Sequence, residues 1–179
     1  MNLKKTALAV VMLGLFVIAY FSFKIYAIML VPNTAFNSKE AYIFISTAAT
    51  YFDVRSDLEP LLLDTEKFDA LAKQKKYDTN VKAGRYRIAK DMTNNDIINS
   101  LRSQNLAVSV AFNNQHSLGL LAKRISNQLE VDSLSLMEVF TDSIFLSSNA
   151  FTKESALAMY LPNSYEFFWN TSPKKIRSK

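Results

Sequence analysis

Glutamate and aspartate are the side chains best able to perform acid–base chemistry in this 179-residue chain, which has one histidine and no cysteine. Cleavage of a glycosidic bond needs at least one such carboxyl group in an apolar cleft, where desolvation raises its pKa so that it can donate a proton. Glu166 is the most suggestive candidate, because its neighbours suit the faces of sugar rings: Tyr165, Phe167, Phe168 and Trp169. On a strand, however, Glu166 would point away from its immediate neighbours, and a solvated edge-strand glutamate is the simpler interpretation.

Other catalytic chemistry has little support in the sequence. His116 would have to be the base of any Ser-His-Asp triad, but no nucleophile elbow or glycine-rich oxyanion loop lies near it. We therefore interpret His116 as a surface residue of a polar turn. Glu154, which follows Thr152, is interpreted as support for a helix dipole. The sequence has no HExxH motif and no calcium loop, so we predict neither a metal ion nor a cofactor.

The amino-terminal segment predicts a membrane anchor. Thr6–Phe23 is an uncharged apolar run that follows Lys4 and Lys5. As a helix this run would be about 27 Å long, close to the ~30 Å hydrocarbon core of a bilayer. The lysines before it favour an amino terminus in the cytoplasm, by the positive-inside rule. We therefore predict a single pass through the inner membrane within residues 1–31, with the bulk of the chain in the periplasm.

A cleaved signal peptide is the competing interpretation of this segment. Its apolar region would usually be about 7–15 residues long and would end in a small-x-small cleavage site. The nearest such triplet here, Ile25-Tyr26-Ala27, has a bulky residue where a small one is needed. Length and the missing cleavage site favour an anchor that is retained.

The charge distribution argues against nucleic acid as a partner. The formal net charge is +5, but seven of the 21 basic residues flank the apolar run or lie at the end of the chain. The remaining 14 basic residues face 16 acidic ones. The middle of the protein therefore has no basic surface of the kind that a phosphate backbone requires.

The first part of the external region predicts a strand, two helices and a second strand. Tyr42–Ser46 is β-branched and aromatic on both faces, as in a largely buried strand. Ser56 and Glu59 form a capping-box pattern for a short helix, and a second helix is predicted to start near Thr65. Gly84 precedes the alternating strand that ends at Ile88, which indicates a backbone with positive φ at this glycine.

The second part continues with further short helices and two strands. Thr93–Asp96 caps a helix, and Val108–Phe112 alternates apolar and polar residues as a strand does. An amphipathic helix is predicted from about 117 to 129, with short helices near Ser133 and Thr152. The chain then turns at Pro162 and Asn163 into an aromatic strand. The predicted fold class is α+β, with few strands and several short helices.

Several of these segments resemble one family. An apolar anchor, the strand-helix-helix-strand order, KAGRYRI (82–88), SVAFNNQ (109–115) and ALAMYLPNSYEFFWNTS (156–172) are similar to endolytic murein transglycosylases of the MltG or YceG-like family, especially its Bacteroidetes-type members. Ser164 stands where threonine is usual in the family. The resemblance implies a LysM-like βααβ module that binds carbohydrate, followed by a catalytic-type α+β domain.

The resemblance also implies a division of the chain and a missing catalytic group. We predict a linker at 32–40, the LysM-like module at 41–105 and an incomplete transglycosylase domain at 106–179. Family members carry their catalytic glutamate beyond the Pro-Asn turn, and no residue of this chain matches that motif. We therefore expect the N-terminal portion of a lytic transglycosylase that is inactive as a fragment, with no catalytic residue to assign.

The resemblance implies peptidoglycan glycan strands as the ligand and the lipid bilayer as the support. The alternative is a non-catalytic, bitopic protein that binds peptidoglycan or holds proteins of cell-wall synthesis near the membrane. A remnant with no independent role is a third possibility. For either binding function the predicted substrate-binding residues are Asn163, Tyr165, Glu166, Trp169 and Tyr86. Because aromatic residues at alternating positions are more often core than surface, Tyr86 also fits a purely structural role.

Overall fold

A long apolar helix begins the structure, a computed structural model that describes residues 3–179. This helix, α1, is Leu3–Met29, and within the described residues it is the one helix long and apolar enough to cross a membrane, at Val10–Met29. None of that stretch is buried against the rest of the protein. Lys4 and Lys5, on which the predicted orientation depends, lie in the first turn of α1, and the orientation stays a prediction.

The elements that follow α1 confirm the predicted order of strand, helix, helix and strand. They are β1 (Glu40–Ile45), α2 (Tyr51–Leu58), a 3-10 turn (Glu59–Leu61), α3 (Thr65–Gln74) and β2 (Gly84–Ala89). β1 and β2 pair in a two-stranded sheet. α4 (Asn94–Ser103) comes next, and its start is the predicted one, because Thr93 and Asp96 exchange hydrogen bonds in a capping box.

Two details of this part differ from the sequence-based expectation. The capping box of α2 is formed by Thr50 and Asp53, and Ser56 lies inside the helix. Both sites carry a hydroxyl residue followed three positions later by an acid, and the earlier one starts the helix. In β1 the buried residues are Ile43 and Ile45, so this strand is covered on one face and not on both.

The remaining elements mix helices with one strand pair. They are β3 (Ala107–Phe112), α5 (Leu118–Ser126), α6 (Ser133–Phe140), α7 (Ser143–Ser148), a 3-10 turn (Ala156–Met159), β4 (Asn163–Phe168) and α8 (Pro173–Arg177). β3 and β4 are antiparallel, with Ala107 opposite Phe168 and Phe112 opposite Asn163. The helix predicted near Thr152 is only a turn that leads into the 3-10 segment, whereas α7 was not predicted. The mixed α+β class is confirmed.

The chain divides into two units that interleave along the sequence. The first unit contains the chain up to Ala41, Thr50–Val81 and Ile88–Arg102, and the second contains Tyr42–Ala49, Lys82–Arg87 and Ser103–Lys179. The predicted LysM-like and transglycosylase domains, at 41–105 and 106–179, stay predictions.

Each unit buries apolar side chains of its own. In the first unit they come mainly from α2, α3 and α4: Val54, Leu58, Leu62, Phe68, Leu71, Ala72, Ile97, Ile98 and Leu101. In the second unit one cluster joins β3, β4 and helices α5, α6 and α8: Val110, Phe112, Leu121, Ala122, Ile125, Leu129, Leu136, Phe140, Phe167 and Ile176. This second core fixes the strand ends that carry the candidate site.

Gly84 has the positive φ that the sequence predicted, +149°. A Cβ atom at this position would lie 2.4 Å from the Asn105 side chain, well inside van der Waals contact. Asn105 is held there because its Oδ1 accepts a hydrogen bond from the backbone N–H of Arg85, at 3.0 Å. A side chain at Gly84 is therefore excluded by both backbone conformation and space.

Candidate functional site

A cleft of about 550 Å³ lies in the second unit, at the end of β3 and the approach to β4. The loop that follows β3 forms one wall, and the 3-10 segment with the turn before β4 forms the other. Its lining residues are Phe112, Asn113, Asn114, Gln115, Leu121, Glu154, Ser155, Leu157, Ala158, Tyr160, Leu161 and Pro162. Two loops far apart in sequence meet here because β3 and β4 are paired.

Tyr165 braces both walls of this cleft. Its ring stacks on that of Phe112, with centroids 5.5 Å apart and planes inclined by 12°. Its hydroxyl donates a hydrogen bond of 2.7 Å to the carbonyl oxygen of Leu161. Phe112 belongs to one wall and Leu161 to the other, so Tyr165 fixes their separation without itself lining the cleft.

Tyr160 lies between the cleft and the core of the second unit. Its ring packs on Phe140, with centroids 4.5 Å apart. Its hydroxyl oxygen is buried and has no hydrogen-bond partner among the described residues. Burial raises the pKa of Tyr160 to about 12, so the phenol stays neutral at physiological pH. The buried hydroxyl oxygen is closed to the cleft as well as to solvent, so Tyr160 contributes apolar surface to the lining.

The rest of the polar lining consists of amides and one carboxylate. Asn113, Asn114 and Gln115 offer both donors and acceptors, as their amide groups do in general. Glu154 adds a carboxylate, and hydrogen bonding to the Thr152 side chain lowers the pKa of that group. Glu154 is therefore ionised at neutral pH and accepts hydrogen bonds, while an acid catalyst would need the opposite shift. The cleft therefore offers hydrogen-bond donors and acceptors next to apolar side chains.

Two of the predicted binding residues lie next to the cleft. Asn163 is exposed and stands opposite Phe112 in the strand register, and its Oδ1 accepts from the backbone N–H of Ser164. Tyr165 is the bracing residue described above. Neither residue lines the cleft itself. Asn163 pairs with Phe112 in the strand register and Tyr165 stacks on it, and Phe112 is a lining residue.

The other predicted residues of the second unit lie elsewhere. Glu166 is exposed on β4 beside a separate depression of about 480 Å³, and its backbone carbonyl accepts from Lys179 Nζ. This agrees with a solvated strand glutamate. Trp169 is half-buried, and its ring meets that of Phe44 edge-on at 5.3 Å. Neither residue faces the cleft.

Tyr86 is a core residue, and the expectation that its ring is exposed for sugar binding is wrong. It is 1% exposed, and its hydroxyl donates to the carbonyl oxygens of Lys82 and Ala83, at 3.1 and 3.3 Å. The alternation of β2 places Gly84, Tyr86 and Ile88 on its buried face, which is the structural interpretation that periodicity favoured.

Sequence reasoning missed the residues that line the cleft. Asn113, Asn114 and Gln115 were taken only as the setting of His116, which is exposed in its turn as expected. Glu154 was taken as dipole support, although it lies in a turn before the 3-10 segment. Three consecutive amide side chains directly after the best-defined strand were the available signal. Over residues 3–179 the structure groups no set of histidine, aspartate and glutamate side chains that could hold a metal ion.

Comparison with known proteins identifies the family. The model of the YceG-like family matches residues 43–179, which is more than half of the chain. This protein therefore belongs to the YceG-like family, as the resemblance predicted. The comparison with curated proteins found no match.

A solved structure from the same family is a distant relative. It is the crystal structure of a YceG-like protein from Listeria monocytogenes, with 19% sequence identity and a TM-score of 0.40. The alignment covers 79% of this chain and 53% of the Listeria chain, so this chain spans about half the length of that relative.

Proposed function

We propose that this protein is a membrane-anchored member of the transglycosylase family that binds peptidoglycan glycan strands in the cleft between the β3 and β4 loops. The observation that carries the proposal is the lining of the cleft, where three consecutive amide side chains lie beside apolar side chains in the region that matches the family. N-acetylated sugars present hydroxyl groups, amides and apolar ring faces. The cleft offers a matching partner for each, with Leu157 and Phe112 on its apolar side.

Residues 1–179 alone bind glycan strands in this proposal but do not cleave them. Cleavage by a lytic transglycosylase uses one carboxyl group as acid and then as base, so that the hydroxyl of the sugar closes an anhydro ring. Glu154, the carboxylate that lines the cleft, has a lowered pKa. Glu166 is exposed and lies outside the cleft. Neither sits in the desolvated setting that a general acid requires.

The anchor and the first external module complete the proposal. α1 spans the inner membrane with its amino terminus in the cytoplasm, and the rest of the chain lies in the periplasm. The length and composition of Val10–Met29 and the lysines before it support this placement. The segment from β1 to β2 acts as a LysM-like module, which its strand-helix-helix-strand order supports.

Binding is tested with the full chain in lipid nanodiscs and purified, uncrosslinked glycan strands, using calorimetry. Asn113→Ala and Asn114→Ala each remove one exposed amide of the cleft. Each should weaken binding by about tenfold, the change that a lost interaction of about 1.4 kcal/mol produces. Asn127→Ala is the matched control, because Asn127 is exposed in the same unit and does not line the cleft.

Three results would count against parts of this function. Glycan binding no greater than that of empty nanodiscs would contradict the binding site. Equal binding by Asn113→Ala, Asn114→Ala and the wild type would move the site away from the cleft. Release of anhydro-ended products by the purified chain would contradict the statement that these residues do not cleave.

The orientation of the anchor is tested by cysteine labelling, because the chain has no cysteine of its own. A single Asn127→Cys substitution should react with a membrane-impermeant maleimide in intact cells if the second unit lies in the periplasm.

A further inference from the structure

Side-chain amides of the first unit form hydrogen bonds at the end of the apolar helix. Asn94 Nδ2 donates to the carbonyl oxygen of Ile28 at 2.9 Å, and Asn94 Oδ1 accepts from Asn33 Nδ2 at 2.7 Å. Asn33 also exchanges two hydrogen bonds of 2.8 Å with the backbone of Asp64. Asn33 and Asn94 are only 4% and 1% exposed. We call Ile28, Asn33, Asp64 and Asn94 the exit clamp.

The segment predicted as a linker is hydrogen-bonded along its backbone. Thr34 forms a β-bridge with Leu62, and the backbone N–H of Leu63 donates to Asn33 O at 3.0 Å. Further along, the N–H of Lys90 donates to Lys39 O at 3.0 Å. The chain therefore passes from α1 into the first unit without a free stalk.

Three large apolar side chains are exposed beside this exit. Leu30 and Val31 follow α1 directly and are 55% and 38% exposed, and Leu63 is 69% exposed. Leu63 lies alongside them because its backbone is bonded to Asn33, two positions after Val31. We call Leu30, Val31 and Leu63 the juxtamembrane face.

The length of α1 places this face at the surface of the bilayer. The 20 residues of Val10–Met29 make a helix about 30 Å long, which matches the ~30 Å hydrocarbon core of a bilayer. With this span in the core, Met29 lies near the boundary between acyl chains and headgroups. Leu30 and Val31 then lie within one turn of that boundary, and the exit clamp holds Leu63 at the same level.

We propose that the juxtamembrane face rests in the lipid headgroup layer, so that the first unit is mounted directly on the membrane. The proposal rests on the membrane anchoring that is part of the proposed function. A lipid surface is the occupant that the structure favours, because the face is continuous with the apolar helix and has no stalk to lift it away. Burial of leucine and valine at the boundary between headgroups and acyl chains is favourable.

The test uses environment-sensitive labels on single cysteines, which the cysteine-free chain allows. Two variants of the full chain, Leu63→Cys and Leu134→Cys, are labelled with the same fluorophore. Each is reconstituted in vesicles that contain no other protein. The vesicles contain a phospholipid with a nitroxide on its headgroup as the quencher. Leu134 is the matched control, an 80% exposed leucine in the second unit. We expect the label at 63 to be quenched several-fold more strongly than the label at 134.

Equal quenching at 63 and 134 would overturn the proposal. So would a label at 63 that stays unquenched in vesicles but crosslinks to another protein in cells, since that result would make the face a protein interface. Failure of the anchor is measured separately, as loss of the chain from the vesicle fraction in a carbonate wash. A chain that resists the carbonate wash but shows no quenching at 63 would contradict contact between the juxtamembrane face and the headgroups. It would not contradict the membrane anchor.

Discussion

The ring of Tyr165 lies on the ring of Phe112 with their planes only 12° apart, although 53 positions separate the two residues in sequence. Val110 is the residue directly opposite Tyr165 in the register, so the stack is a diagonal cross-strand pair. Together with the hydrogen bond from Tyr165 to Leu161 O, this stack sets the width of the cleft.

The two contributions of Tyr165 should be separable by mutation. Tyr165→Phe keeps the stack and loses one hydrogen bond, so we expect the free energy of unfolding to fall by about 0.5–1.5 kcal/mol. Tyr165→Leu loses the aromatic pair as well, which should cost a further ~0.5–1.5 kcal/mol. Urea unfolding of the full chain in mild detergent measures both. Equal stability of the two variants would mean that the stack contributes nothing, and the exposed Phe52→Leu provides the control.

Substitution of the two glycines that follow α1, Gly84 and Gly119, should have opposite effects. Gly84→Ala places a Cβ against Asn105 at a φ of +149°, so we expect a loss of more than about 1 kcal/mol. Gly119 lies in α5 with no close neighbour to a new Cβ beyond Ser117 Oγ at 3.9 Å. Gly119→Ala should therefore stabilise, by up to ~1 kcal/mol, through helix propensity. Equal melting temperatures for the two variants would contradict this difference.

Loss of the Asn94 side chain should weaken the first unit. Asn94→Ala leaves the buried Asn33 amide without one partner and the Ile28 carbonyl without its side-chain donor. Unsatisfied buried groups cost about 1–3 kcal/mol each, and we expect a loss of that order in the free energy of unfolding. Hydrogen exchange of the backbone amides of Asn33 and Asp64, followed by mass spectrometry, should speed up, because these amides donate to Met92 O and Asn33 Oδ1. The exposed Asn80→Ala is the control and should change stability by less than about 0.5 kcal/mol.

The ion pair between Asp142 and Arg177 should contribute to acid sensitivity. Arg177 Nη1 donates to Asp142 Oδ2 at 2.9 Å, and this bond is the main reason that the pKa of Asp142 is lowered from its ordinary 3.8. Since the folded pKa lies below the unfolded one, the contribution is complete above about pH 3.8 and is lost as the pH falls through the folded pKa.

Asp142→Asn should therefore lower the melting temperature at neutral pH and reduce the further drop on acidification below pH 3.8. Thermal unfolding from neutral pH down to about one unit below that value measures the difference. Glu138→Gln removes the same charge from an exposed position of α6 and is the control. A parallel pH dependence for Asp142→Asn and the wild type would show that the pair does not couple folding to protonation.

Local patterns in the sequence predicted most of the elements. Strict alternation located β3, and the Thr93–Asp96 pair located the start of α4, because each depends on neighbours within a few residues. The start of α2 was missed because two similar capping patterns, Thr50–Asp53 and Ser56–Glu59, follow each other closely, and their sequences alone do not show which one starts the helix.

The candidate site was harder to predict because it depends on pairing between distant segments. Asn113 and Glu154 come together only after β3 and β4 have formed, and neither carries a local signal for binding. Tyr160 belongs to the motif that carried the family resemblance, but its missing hydrogen-bond partner is visible only in three dimensions. The predicted residues Asn163 and Tyr165 lie next to the cleft because they follow Leu161 and Pro162, the turn that lines it.

The bond between Asn94 and Ile28 also has a mechanical consequence. A transmembrane helix responds to a thinner or thicker bilayer by changing its tilt. If α1 spans a bilayer as proposed, its last turn is hydrogen-bonded to a folded body, so a change in helix tilt would rotate the first unit and its orientation would depend on local lipid composition.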